Sequence, residues 1–186
     1  MLFKMYIKSE PLYFEDYSDA VCALQRGEFV TVTARGLSLR PFFSLGRDSL
    51  VLAPIKNCEV LSDSDEEIID RHNRVPRRKR KNSSQGEDRM TLRRRDIVLF
   101  RYRDTATFRL LRVVHVWGTL LLLRGDGCYA PYERATVSDV VGIVVKGTCF
   151  GGTPFVATSR LWRFISKTWT ASYRFRLWVR RLFRKK

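Results

Sequence analysis

Histidine is nearly absent from this chain, with only His72 and His115 among 186 residues. The four cysteines, Cys22, Cys58, Cys128 and Cys149, stand far apart without C-x-x-C spacing. Together these scarcities exclude the usual zinc ligand sets, and no cofactor or metal is expected. Reduced, buried thiols of a cytosolic protein are the simplest reading of the four cysteines. No uninterrupted apolar run approaches the length of a membrane span. Met1-Leu2-Phe3-Lys4 opens no apolar core of a secretory leader, so none is expected. Acidic residues are missing altogether from 159–186.

What is abundant is positive charge, and it is unevenly placed. The formal net charge is +16, from 35 Lys and Arg against 19 Asp and Glu. Residues 61–95 hold 11 basic and 7 acidic side chains, and residues 159–186 hold 10 basic ones. The remainder has 14 basic against 12 acidic residues and is close to neutral. A dedicated nucleic-acid binder would carry its basic surface on the domain itself, so nucleic acid is the weaker candidate partner. The 45% hydrophobic content is enough for one packed core. The chain therefore reads as a β domain over 1–158, interrupted by a charged insertion at 61–94, and a basic tail over 159–186.

Local patterns fill in the domain. Tyr17, Ala20, Val21 and Leu24 share one helical face, and Gly27 follows, so a short helix is expected over Tyr17–Arg26. Apolar alternation and turn residues predict strands near 29–34, 49–53, 96–102, 108–116, 119–124 and 140–147. The fold class is mainly β, a compact coiled sheet. The insertion joins an acidic run, Asp63-Ser64-Asp65-Glu66-Glu67, to a basic one, Arg77-Arg78-Lys79-Arg80-Lys81. Charge-blocked sequence of this kind reads as a solvated loop, and the basic run also fits a nuclear-targeting or nucleic-acid patch.

The tail has helical periodicity without Gly or Pro. Leu161, Phe164, Thr168, Ala171, Phe175, Trp178 and Leu182 recur at steps of three and four, which predicts one amphipathic helix with an apolar stripe. Trp162, Trp169 and Tyr173 add aromatic surface beyond it. Such a helix either packs its stripe on the domain or lays it on an anionic membrane surface. It is too charged to span one.

The segment with chemical content begins at a β-branched run, Thr31-Val32-Thr33. It continues through Gly36-Leu37-Ser38-Leu39-Arg40-Pro41 to a second strand, Gly46-Arg47-Asp48-Ser49-Leu50-Val51. A serine at a strand end, where the chain turns and N–H groups are free, has the exposure a nucleophile needs. The segment resembles the serine box of the signal-peptidase/LexA-type serine peptidase superfamily, Gly-x-Ser-Met-x-Pro followed by a Gly-Asp-x-Val strand, in the spelling of its small soluble bacterial branch. Leu39 takes the place of Met, and Arg47 separates Gly46 from Asp48. Further segments are similar in the same order: Arg95-Asp96-Ile97-Val98, Arg112-Val113-Val114, Arg124-Gly125-Asp126-Gly127 and Val140-Val141-Gly142. The resemblance spans most of 17–58 and 92–150. It implies a partly barrel-like sheet, Ser38 as nucleophile, Asp126 supporting the site, and an extended peptide or protein as substrate.

At the general base the sequence departs from the family. Aligned through Arg112-Val113-Val114, the position that carries Lys or His in the family is Leu111, which cannot accept a proton. The nearest imidazole is His115, an even number of residues along the same strand and so on the same face as Leu111. Four strand residues span about 13 Å, so His115 needs a bulge or register shift to act there; as a packed or edge residue it needs nothing. Asp126 reads equally as part of a tight Gly-Asp-Gly turn. Two functions follow. One is a serine peptidase with Ser38, Asp126 and His115 as candidate catalytic residues. The other is a catalytically inactive relative that binds peptide or docks to a membrane from the cytoplasmic side.

Overall fold

The computed structural model describes residues 12–14, 16–35, 38–55, 59–60, 91–102, 107–127 and 132–183. Gly36, Cys58, Cys128 and residues 61–90 of the insertion lie outside them. In chain order the elements are β1 (Leu12–Phe14), α1 (Tyr17–Arg26), β2 (Val30–Thr33), β3 (Ser49–Pro54), β4 (Glu59–Val60), β5 (Thr91–Leu92) and β6 (Ile97–Arg101). They continue with β7 (Phe108–Trp117), β8 (Leu120–Arg124), β9 (Glu133–Thr136), β10 (Val140–Cys149), β11 (Thr153–Val156), α2 (Arg160–Ala171) and α3 (Tyr173–Phe183). Of the described residues 43% are strand and 26% helix, so the protein is mainly β.

Among the described residues nine strands form one mixed sheet in the order β1-β2-β3-β10-β6-β7-β8-β9, with β11 also paired to β10; β4 and β5 pair separately. The sheet is coiled but not closed. Three residues, Val137–Asp139, join β9 to β10, yet the two strands stand four positions apart in the sheet. At the usual strand spacing a flat sheet would separate them by about 19 Å. The chain from Thr136 to Val140 reaches only about 14 Å. The sheet must curl, and Ala135 of β9 accordingly shares a core with Val140 and Ile143 of β10.

Two cores result. One, inside the curl, holds Val98, Phe100, Leu111, Val113, Val116, Leu121 and Leu123. The other lies on the opposite face of the sheet, where α1 and α2 pack over Leu50, Leu52, Ile97, Leu99 and Leu110. Helix α1 starts at Asp16, whose carboxylate accepts from the Ser18 N–H, and stops at Gly27 in the left-handed region with φ 93°. It buries Ala20, Val21, Ala23 and Leu24.

The tail differs from a single helix. Ser159 caps α2 by accepting from the Trp162 N–H, but the helix is interrupted at Ser172. The Trp169 carbonyl there accepts from the Ser172 hydroxyl at 3.0 Å and from the Arg176 guanidinium at 2.9 Å. Side-chain donors competing for a helical carbonyl break the regular pattern. The packed face is also the other one. Trp162, Ile165, Ser166 and Trp169 face the domain, whereas Leu161, Phe164, Phe175, Trp178 and Leu182 are 53–70% exposed. Both stripes have helical spacing; the larger aromatics find partners. Trp162 lies 5.7 Å from Phe42 and 4.2 Å from Phe155, and Trp169 lies 5.0 Å from Phe42, between ring centroids.

Candidate functional site

After β2 the chain enters a loop whose path is set by buried apolar side chains. Leu39, Phe42 and Phe43 insert into the helix-covered core, and Asp48 closes the loop behind them. The Asp48 carboxylate accepts from the Ser44 N–H at 2.6 Å and the Gly151 N–H at 3.1 Å. Asp48 is fully buried, and its second oxygen has no hydrogen-bond partner. This loop carries half-buried Ser38 to the edge of β7, where β8 no longer covers the strand. The Ser38 hydroxyl donates to the Leu110 carbonyl at 3.2 Å. The Ser38 carbonyl in turn accepts from the Gly127 N–H at 3.1 Å.

Two features of the sequence reading therefore meet in space. Ser38 lies against the residue preceding Leu111, and the turn containing Asp126 borders it. What occupies the neighbouring position is an apolar side chain, 4% exposed and packed among Val98 and Val113. A carbonyl oxygen accepts a hydrogen bond but takes no proton at neutral pH. Among the described residues no imidazole, amine or carboxylate hydrogen-bonds to the Ser38 hydroxyl.

Asp126 is engaged elsewhere. Its two oxygens receive Nε and NH2 of Arg112 at 2.7 and 2.6 Å. The guanidinium also donates to the Arg95 carbonyl and to the Ser166 hydroxyl, each at 2.9 Å. Rings of Phe42 and Trp162 flank it at 5.6 and 5.7 Å. With Arg112 2% and Asp126 4% exposed, this is a desolvated pair whose hydrogen-bonding capacity is largely filled, the condition under which a buried ion pair is tolerated. The sequence reading assigns Arg112 no role of its own. The available signal was an arginine inside an apolar strand run, which needs a carboxylate partner once buried.

His115 does not join them, and its expected face is corrected. The β7–β8 register shifts between Val113 and His115. Leu111, Val113 and Val116 consequently share the inner core, leaving His115 on the opposite face from Leu111. Its ring stacks on Trp117 with centroids 5.3 Å apart and planes 4° from parallel. By strand rise it stands about 16 Å from Leu110.

An open cavity of about 710 Å³ lies between the β10–β11 hairpin and α2, lined chiefly by Val51, Gly147, Phe150, Phe155, Trp162 and Ile165, with Lys146 beside them. Neither Ser38, Asp126 nor His115 lines it. Its volume falls in the range of ligand sites. Of the cysteines, Cys22 is exposed, contrary to the expectation of a buried thiol, and Cys149 is buried. Burial, with the Asp48 carboxylate adding to it, pushes the Cys149 thiol above its ordinary value. Among the described residues no group of three or more His, Cys, Asp or Glu is placed to hold a metal ion. None of their helices is long and apolar enough to cross a membrane. No protein-family model, curated protein or solved structure matches the chain.

Proposed function

We propose that this protein is a peptidase-like scaffold that binds an extended peptide segment without hydrolysing it. The observation that carries the reading is the hydrogen bond from Ser38 to the Leu110 carbonyl, beside buried Leu111. A serine hydroxyl becomes a nucleophile when a base within about 3.2 Å takes its proton. Here the hydroxyl serves to fasten the loop to an uncovered strand edge. The apolar cavity beside α2 supplies the binding surface on this reading, since it is wide and lined by aromatic side chains.

The test is acylation of the full-length protein by a fluorophosphonate probe, beside Ser38→Ala. Equal, background labelling of the two proteins is the expected result. Labelling that disappears in Ser38→Ala would overturn the proposal and establish the second reading, a serine peptidase. That second reading is favoured by one feature, the position of Ser38 in a turn of the loop between β2 and β3 that leaves it only partly buried.

A further inference from the structure

We infer that the outward face of α2 and α3 is a docking surface for an anionic lipid bilayer. The inference is independent of whether Ser38 reacts, because it rests on the tail alone.

The tail uses two aromatic stripes in different ways. Trp162, Ile165 and Trp169 are consumed by packing on the domain, and Ser166 bonds Arg112 beneath them. Arg124 of β8 stacks over Tyr173, 3.4 Å from the ring centroid, and extends the attachment into α3. The helices are thus held to the sheet by one side. With 3.6 residues per turn, Phe164 of α2 and Phe175, Trp178 and Leu182 of α3 project away from those attachments, and each is more than half exposed. A single exposed leucine is ordinary; four large apolar side chains exposed along one helical tail are not.

Charge identifies the occupant. Within α2, Arg160, Arg163 and Lys167 share a flank beside Phe164, and these three and Arg174 of α3 are exposed. No acidic residue occurs anywhere in 159–186, against 10 basic ones. A second copy of this chain would bring another such tail to the same face, setting like charge against like charge. Nucleic acid would satisfy the arginines but leave the phenylalanines and Trp178 in water. An anionic bilayer satisfies both, with phosphates at the basic residues and acyl chains under the apolar ones. Interfacial helices bind in this way, with their apolar side sunk about 5–10 Å into the headgroup boundary. Because the inner stripe already fixes the helices, the surface is presented ready-made and needs no folding on contact.

Density-gradient flotation of the full chain tests this. At low salt the protein should float with vesicles of mixed phosphatidylcholine and phosphatidylglycerol and stay behind with phosphatidylcholine alone. Combined Phe164→Ser, Phe175→Ser and Trp178→Ser should lower the partition coefficient at least about tenfold. The melting temperature should not change, because these side chains are exposed. If that variant melts early, Arg163→Glu with Lys167→Glu and Arg174→Glu replaces it, with the same loss expected. Failure of the native chain to float with the anionic vesicles would overturn the inference. So would flotation undiminished in the variants, or a native dimer that the serine substitutions convert to monomer.

Discussion

Arg112 and Asp126 meet fork to fork from two different segments, at 2.7 and 2.6 Å, with almost no exposure to water. This pair joins four parts of the protein: the middle of β7, the turn beside Ser38, the loop at Arg95, and α2 through Ser166. The carboxylate neutralises a buried guanidinium.

Removal of one partner should therefore be severe. Arg112→Leu or Asp126→Asn is expected to lower unfolding free energy by about 3–5 kcal/mol, since each strands a buried charge. Arg112→Lys should recover little, because an ammonium cannot reproduce the fork. Arg112→Leu combined with Asp126→Leu should be far less damaging than the sum of its parts. Urea unfolding of the native protein, these variants and Asp126→Leu alone measures all of this.

Leu111 sits one residue beyond the carbonyl that holds Ser38. Leu111→Lys should raise Ser38-dependent acylation above that of the native protein. The substitution should also cost about 2–4 kcal/mol, for an amine introduced into the inner core. Labelling by the probe with and without Ser38→Ala reads the first effect, and thermal unfolding reads the second.

Gly147 lies where β10 passes β3, and a methyl group there would collide with the Ser49 carbonyl, with the Leu50 Cα 3.1 Å away. Both neighbours are backbone, so the strands must part. Gly147→Ala is expected to destabilise by about 1–3 kcal/mol, whereas Gly142→Ala, crowded mainly by the Leu24 side chain at 3.1 Å and the Ala53 carbonyl at 3.2 Å, should cost less. Melting temperatures rank the two.

Alkaline pH should weaken the fold through two groups. Burial raises the Tyr17 phenol and the Cys149 thiol above their ordinary values of 10.0 and 9.0. For a raised acid the folded state holds its proton after the unfolded chain has released it. The contribution is whole below pH 9.0, the ordinary thiol value, and declines as pH climbs toward the folded values. Tyr17→Phe with Cys149→Ala should flatten the fall in stability between neutral and alkaline pH, as seen in urea titrations. Exposed Cys22 should alkylate well before Cys149 in the native protein, which peptide mapping by mass spectrometry would show.

Much of the architecture was legible because it is written in local periodicity. Helix α1 occupies the residues its spacing and its terminal glycine indicated, and the six strands expected from alternation form the body of the sheet. Short strands such as β1, β9 and β11 were not legible, since three or four residues carry too little pattern. The face of His115 was misjudged because one bulged residue reverses alternation without altering composition.

Sequence alone determined the buried face of α1, where the charge accumulates, and that Leu111 brings no proton acceptor to the serine loop. Those properties follow from side-chain chemistry and backbone periods of a few residues. Only the tertiary structure decided which of two aromatic stripes meets the domain and which acid answers Arg112. Both choices depend on partners distant in the chain, and they are made by competition for buried contacts when the curled sheet closes over its two cores.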